Sequence, residues 1–278
     1  MTTRGRLFVV ATPIGNLADI TLRAVRVLGE VDLVAAEDTR TTRKLLSHHG
    51  IRTPLVSYHE HNEAVRTPEL LNRIEKGESI AIVSEAGTPS ISDPGYRLIR
   101  EAIAAGVAVE PVPGASALLA AVVVSGLPSD AFVFEGFLPR RAGERRKRLE
   151  SLATQRRTLV FFEAPHRLDK SLADMSEVLG DRKVALCREL TKIHEEVRRG
   201  RLSELVEELQ RRPVKGELVL VVEGAVEVAG DMEAALTEAV QRIAAGESVR
   251  EATRGVAEQR GVARRALYDR VLQERKSP

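Results

Sequence analysis

The chain has 278 residues, of which 43% are hydrophobic and 29% charged, and its formal net charge at pH 7 is +2. This is the composition of a globular protein with more than one core, and the single cysteine, Cys187, excludes an intrachain disulfide and a cysteine-based zinc cluster. No stretch approaches the length of a membrane span and the N-terminus lacks a signal-peptide run, so we expect a cytoplasmic protein without membrane contact.

The first part of the chain alternates short apolar runs with helical patterns. Strands are predicted at 7–10, 31–36, 55–57, 80–83 and 107–112. Strands that alternate with helices indicate a mostly parallel sheet covered on both faces. We assign residues 1–113 to this N-terminal α/β domain.

The alternation continues in a second α/β domain, which we place at 114–228. Its strands are predicted at 132–136, 157–162, 183–186 and 217–222, with an extended segment at 192–201 before a helix. An apolar helix at 117–125 opens this domain. It is either buried within its own domain or a surface that pairs two copies of the chain.

The last fifty residues carry no strand pattern, and we expect 229–278 to form a small helical domain. Ser248 with Glu251 makes a capping box at the start of one helix, and Gly261 separates it from a second helix. Two helices joined by a short glycine turn are typical of a helix-turn-helix pair. Such pairs commonly only pack together, although several contact nucleic acid.

Basic side chains are clustered along the chain. One run, from 140 to 148, contains Arg145, Arg146 and Arg148, and the C-terminal helices carry Arg264 and Arg265. A cluster of this kind indicates either a solvated, arginine-rich helix face or a surface for a polyanion.

Three loops share one design, in which proline and glycine stand among small residues between a strand and a helix. They span 11–16, 84–95 and 111–116. In a parallel sheet all three emerge at the same edge, where ligand-binding crevices form. None of them matches a P-loop or dinucleotide fingerprint, and they lack the cations that a triphosphate requires. The loops therefore predict a shared pocket for another kind of ligand.

Eight motifs that contain these loops follow one another along the chain. They are VATPIGNLADITLRA (10–24), AEDTRTTRKLL (36–46), SYHEHNE (57–63), SEAGTPSISDPG (84–95), PVPGASALLAA (111–121), FEGFLPR (134–140), FFEAPHRL (161–168) and RELTKIHEEVRRG (188–200). Together they closely resemble a family of small-subunit ribosomal RNA methyltransferases within the tetrapyrrole methylase superfamily, over nearly the whole chain. The resemblance implies two α/β domains with a cleft between them, S-adenosylmethionine as methyl donor, and a homodimer. The implied activity is 2′-O-methylation of a cytidine in the decoding region of 16S rRNA within the small ribosomal subunit.

The resemblance also implies which residues bind the donor. They are Ile14, Glu85, Thr88, Ser116, Ala117, Phe162 and Glu217. Core packing is the alternative for the two large apolar side chains, and helix capping for the serine. The family usually has Asp where this chain has Glu85, and the extra methylene moves the carboxylate by roughly one C–C bond, about 1.5 Å. We therefore interpret Glu85 as donor-binding or loop-shaping rather than catalytic.

The acceptor side of the predicted site needs a base or a cation, because a ribose hydroxyl is a poor nucleophile. Asp38 is the first candidate for the base, with a cap of the helix at 39–46 as the alternative, and Glu60 and Lys192 complete the predicted catalytic set. Arg40 and Arg167 join the clustered arginines as predicted contacts to RNA phosphate. No metal is expected.

Two other functions compete with rRNA methylation. One is methylation of a small tetrapyrrole-type molecule, which would need neither the basic clusters nor the C-terminal helices. The other is a non-catalytic RNA-binding factor in ribosome assembly, against which the intact donor loops argue.

Overall fold

The structure, a computed structural model, describes residues 5–212, 214–225, 231–262 and 264–274. The chain forms two compact units, Met1–Gly224 and Ala225–Pro278. The predicted domain boundary at 113/114 falls inside the first unit and remains a prediction, and the boundary at 228/229 lies outside the described residues. Among the described residues, no helix combines the length and the apolar character that crossing a bilayer requires.

The first sheet of the first unit has five strands. They are β1 (Arg6–Val10), β2 (Leu33–Ala36), β3 (Leu55–Ser57), β4 (Ile80–Val83) and β5 (Ala108–Val112), accompanied by helices α1 (Leu22–Glu30), α2 (Thr39–His48), α3 (Glu63–Glu75) and α4 (Tyr96–Ala104). The strand order is β3-β2-β4-β1-β5, and every neighbouring pair is parallel. Successive residues alternate between two cores: Ile80 and Ile82 face one, Ala81 and Val83 the other. The predicted parallel sheet is confirmed.

The second sheet follows in the same unit. Its elements are α5 (Ala117–Ser125), β6 (Phe132–Phe137), α6 (Ala142–Leu152), β7 (Thr158–Glu163), α7 (Leu168–Leu179), β8 (Lys183–Arg188), β9 (Glu196–Arg201), α8 (Leu202–Arg211) and β10 (Leu218–Val222). The strand order is β6-β7-β10-β8-β9, in which only β6 and β7 are parallel. Helices α6, α7 and α8 cover one face, and α5 packs on the other through Ala121 and Val122.

The second unit contains three helices in the described residues, α9 (Met232–Ala244), α10 (Val249–Arg260) and α11 (Arg264–Glu274). Ser248 accepts a hydrogen bond from the backbone N–H of Glu251 at 3.2 Å, and Gly261 ends α10 in the left-handed conformation at φ 65°. The predicted C-terminal helices are confirmed. Helix α9, whose Leu236 packs in the core of this unit, was not among them.

Candidate active site

A cleft of about 710 Å³ lies in the first unit, where the three Pro-Gly loops meet the second sheet. The parallel order brings the loops together because β4, β1 and β5 are neighbours and end at the same edge. Thr12 and Gly87 join two of the loops by reciprocal backbone hydrogen bonds of 2.8 and 3.0 Å. All seven residues that the sequence predicted to bind the donor line this cleft.

Small residues keep the floor of the cleft open. Gly87 has a left-handed φ of 76°, and a Cβ there would lie 3.3 Å from the side chain of Ile14. On the opposite wall, Phe162 packs edge-on against Phe134 and Phe137, with ring centroids 4.9 and 5.7 Å apart. Ser116 caps α5 by accepting from the Leu119 N–H at 3.4 Å, so this residue both caps a helix and lines the cleft.

The charged side chains that line the cleft are mostly acidic. Its carboxylates belong to Glu37, Glu85, Asp93, Glu163 and Glu217, whereas its cations belong to Lys44 and Lys192. An excess of carboxylates suits a ligand with a positive charge and disfavours a polyphosphate.

Asp93 is the most perturbed acid of the cleft. Burial, followed by the charges of Glu37 and Glu85, raises the pKa of Asp93 from 3.8 to about 6 against the opposing effect of Ser84. The Glu37 carboxylate is fixed in place because it accepts a hydrogen bond from the backbone N–H of Glu85 at 3.0 Å. No role was predicted for Asp93 from the sequence, in which it is one of two acids in the loop at 84–95.

Lys192 contacts both the first loop of the cleft and residues that flank strands of the second sheet. Its Nζ lies 3.0 Å from carboxylate oxygens of both Glu189 and Glu217. Its aliphatic stem covers Gly15 of the first loop so closely that a Cβ at Gly15 would lie 2.3 Å from the Lys192 Cγ. Although partial burial lowers it, these carboxylates raise the pKa of Lys192 overall, so the side chain stays charged. Its turn includes Glu189 and Thr191 at φ 48° and 65°, a conformation that non-glycine residues rarely adopt.

The other two predicted catalytic residues, Asp38 and Glu60, are not among the residues that line the cleft. The Asp38 carboxylate caps α2, accepting from the backbone N–H groups of Arg40 at 2.7 Å and Thr41 at 3.3 Å. The Arg40 guanidinium also binds it at 3.2 Å, and these contacts hold the pKa of Asp38 below its ordinary value. The capping alternative is therefore what the structure shows for Asp38. Glu60 is exposed.

The basic run at 140–148 is largely paired within the protein. Arg145 is buried, with 4% of its surface exposed, and lies 2.6 Å from Asp174. The prediction that Arg145 contacts RNA is wrong in this structure, because its guanidinium belongs to a buried ion pair. Arg146 pairs with Glu177, and Arg148 lies 2.6 Å from Glu135.

The remaining predicted RNA contacts differ in exposure. Arg167 is mostly buried and donates to the carbonyl oxygen of Leu138 at 2.5 Å. Arg264 and Arg265 are exposed in the first turn of α11. Arg40 is exposed at the start of α2.

Metal and thiol chemistry find little support in the described residues. Within them, no group of three or more His, Cys, Asp or Glu side chains is placed to hold a metal ion. Burial raises the pKa of the Cys187 thiol to about 11, so this residue is a protonated, apolar part of the cleft wall at neutral pH.

Comparison with known proteins identifies the class of enzyme. The family model of tetrapyrrole (corrin/porphyrin) methylases matches residues 6–206, and the chain belongs to this family. A solved structure of uroporphyrin-III C-methyltransferase from Thermus thermophilus, complexed with S-adenosyl homocysteine, has the same fold, with a TM-score of 0.57 and 22% identity over 79% of this chain and 97% of that one. The predicted methyltransferase fold is confirmed.

Relatives of nearly equal length are more similar in sequence. The chain is 48% identical to ribosomal RNA small subunit methyltransferase I of Halalkalibacterium halodurans, over 98% of this chain and 96% of the relative. It is also 48% identical to the protein of that name from Pseudomonas aeruginosa, over 97% of each chain. These similarities confirm the family resemblance that the motifs indicated.

The contact between Lys192 and Gly15 yields a prediction. In Gly15→Ala the new Cβ displaces the Lys192 stem, and we expect donor affinity to fall about tenfold, since about 1.4 kcal/mol of binding free energy corresponds to that factor. Titration calorimetry with S-adenosylhomocysteine measures the change. The matched control is Gly143→Ala, on α6, where a Cβ meets nothing within 4 Å. Equal affinity in the two variants would contradict a positioning role for Lys192.

Proposed function

We propose that this protein transfers a methyl group from S-adenosylmethionine to ribosomal RNA of the small subunit, at the 2′ hydroxyl of a cytidine in the decoding region. The observation that carries the proposal is the convergence of all seven predicted donor residues on one cleft in a methylase fold. Full-length relatives named ribosomal RNA small subunit methyltransferase I support RNA as the substrate.

The residues of the cleft fit this donor. The volume of about 710 Å³ lies within the range of roughly 300–1,000 Å³ that is usual for small-molecule sites. Thr12 lines the cleft, and its hydroxyl is buried without a hydrogen-bond partner among the described residues, which leaves its hydrogen-bonding capacity unused. The acidic lining suits a sulfonium cation.

The chain's main contribution to catalysis is positioning. When bound, S-adenosylmethionine supplies an electrophilic methyl group on a good leaving group, so in-line placement provides much of the acceleration. Ile14, Ala117 and Phe162 form the apolar walls that hold the donor, and Thr88 and Ser116 offer hydroxyls to its polar groups. Glu85 places negative charge in the cleft, which suits a cationic donor, and Glu217 is paired with Lys192. Lys192 acts as a positioning residue that holds Gly15 against the turn at 216–217.

Asp93 is the residue we assign to accept the proton from the ribose hydroxyl. It lines the cleft, and its pKa of about 6 lies close to neutral pH, where a base is most effective. Asp38 was the first candidate from the sequence, but its carboxylate is occupied by the cap of α2 and its pKa is lowered. Proton transfer from O2′ to the Asp93 carboxylate would leave a lone pair on O2′ for the new C–O bond, while the electron pair of the broken C–S bond would stay on the sulfur of S-adenosylhomocysteine.

The activity is tested directly with labelled donor. The protein is incubated with methyl-labelled S-adenosylmethionine and small ribosomal subunits from a strain that lacks this methylation. We expect label at the 2′ oxygen of one decoding-region cytidine, located by mass mapping of nuclease fragments. Subunits already methylated at that position serve as the control. Donor binding without transfer to rRNA would contradict the proposal, and transfer to a tetrapyrrole instead would favour the small-molecule alternative.

A matched pair of variants identifies the base. Asp93→Asn should lower turnover by about a hundredfold or more with donor affinity retained, since general-base catalysis contributes about 10²–10⁴. Asp38→Asn should keep turnover within a few-fold, because Asn caps helices about as well as Asp. Single-turnover rates and calorimetry separate the two effects. Loss of turnover in Asp38→Asn alone would assign the base to Asp38.

The pH dependence of turnover is a second test of Asp93 as the base. Turnover of the wild type should rise as pH increases through about 6 and then stay level, because Asp93 must be ionised to accept a proton. The pKa of Asp93 is higher in the folded state, about 6, than its ordinary value of 3.8. Ionisation of Asp93 therefore lowers the free energy of unfolding above pH 6, and this loss disappears as the pH falls towards 4. Asp93→Asn should therefore melt no lower than the wild type at pH 8.

We also propose that the protein is a cytoplasmic homodimer that pairs through α5. This helix is apolar throughout, yet Leu119 is 53% exposed and Val123 78% exposed. Large apolar side chains that stay exposed on one helix are typical of protein interfaces.

The dimer is tested by Val123→Glu, which places a charge on the exposed face of α5. We expect sedimentation velocity to show a monomer at concentrations where the wild type is a dimer, because an unpaired charge is costly in an apolar interface. The control is Val65→Glu, at a valine on α3 that is 65% exposed. Dimers in both variants would place the interface elsewhere.

A further inference from the structure

Helix α2 carries a group of cations on one face at the mouth of the cleft. Arg40, Arg43 and Lys44 stand at positions i, i+3 and i+4, which are neighbours on a helix surface. Thr41, Lys44 and Leu45 line the cleft, so Lys44 borders the opening, and Arg40 and Arg43 extend the cationic face away from it. We call Arg40, Arg43 and Lys44 the α2 rim.

The α2 rim differs from the basic run on α6 in its ion pairing. Arg43 and Lys44 are exposed, and no carboxylate lies within ion-pair distance of them in the described part of the chain. Among the described residues Arg40 forms an ion pair only with Asp38, and 88% of its side chain is exposed. On α6, by contrast, Arg145, Arg146 and Arg148 are each matched by a carboxylate. Arg43 and Lys44 therefore carry exposed positive charge, on a helix that borders the cleft, that no carboxylate in the described residues offsets.

Lys44 also differs from the other cation of the cleft. Lys192 is held by two carboxylates, each at 3.0 Å. Among the described residues that line the cleft, Lys44 is thus the one cation without a carboxylate partner. The interior of the cleft repels phosphate because Glu37, Glu85 and Asp93 lie there. A polyanion that presents one nucleoside to this interior must keep its phosphates outside, at the mouth.

We propose that the α2 rim binds the backbone phosphates that flank the methylated nucleotide of the rRNA. This inference rests on the proposed function and adds to it the surface that holds the substrate. Lys44 contacts the phosphate next to the acceptor ribose, and Arg43 contacts the one beyond it. Such contacts give affinity and register without reading the base.

The test compares the wild type with Arg43→Gln/Lys44→Gln. Binding to unmethylated small ribosomal subunits is measured over a series of KCl concentrations at fixed Mg²⁺, together with single-turnover methylation. Each phosphate contact to a single strand contributes about 0.7 to the slope of log K against log salt, so the double variant should reduce that slope by about 1.4. Its affinity for subunits should fall at least tenfold at low salt, by a larger factor than its affinity for S-adenosylhomocysteine.

Two controls distinguish an effect of the α2 rim from an effect of net charge and from an effect of replacing the side chain. Arg23→Gln/Arg26→Gln removes the same charge from exposed positions of α1 that do not line the cleft, and should keep the wild-type slope. Lys44→Arg keeps the charge and should retain binding. An unchanged slope in the Arg43/Lys44 variant, or an equal loss in the α1 variant, overturns the proposal. If the wild type binds subunits but transfers no methyl group, the proposed function is contradicted. The slopes of log K against log salt then still show whether the α2 rim binds phosphate.

Discussion

The shape of the cleft depends on the ion pairs of Lys192. Its ammonium joins Glu189 and Glu217, and its stem lies across Gly15, so one side chain connects a loop of the parallel sheet to a turn of the second sheet. Only glycine permits the stem to lie so close to the backbone. The pairing also explains why a lysine in an acidic cleft is not simply a free positive charge. Its charge is balanced by the two carboxylates that it holds together.

That arrangement sets the electrostatics of everything else in the cleft. Lys192 is paired with two carboxylates, and burial, followed by the charges of Glu37 and Glu85, raises the pKa of Asp93. A raised pKa keeps Asp93 close to the pH at which it can exchange a proton, which a well-paired carboxylate such as Asp38 cannot do as readily. Among the described residues that line the cleft, the cation without a carboxylate partner is Lys44, on α2.

Local signals in the sequence were enough to predict most of the elements and the three loops that meet at the cleft. The apolar run at 80–83 and the capping box of Ser248 and Glu251 depend on neighbouring residues, and the structure has them where the sequence placed them. The antiparallel pairing of the second sheet was not predictable in this way, because strands such as β10, buried along its whole length, have the same apolar run in either orientation.

The roles of the site residues were predictable where they depend on residues nearby in the sequence. They were not predictable where they depend on partners that are distant in the sequence. Arg145 was predicted to be a surface cation because its partner Asp174 is 29 residues away. No role was predicted for Asp93 for the same reason. Its pKa is raised in part by Glu37, which comes from another loop.

Glu85 illustrates how the fold tolerates a change within a motif. Its backbone N–H, rather than its carboxylate, makes the contact that fixes Glu37, and any residue except proline supplies that group. Its side chain is exposed at the cleft, so the extra methylene relative to Asp extends into open space and displaces no packed neighbour. The substitution therefore alters the reach of one carboxylate towards the donor while the positions of Glu37 and Asp93, on which the proposed proton transfer depends, are kept.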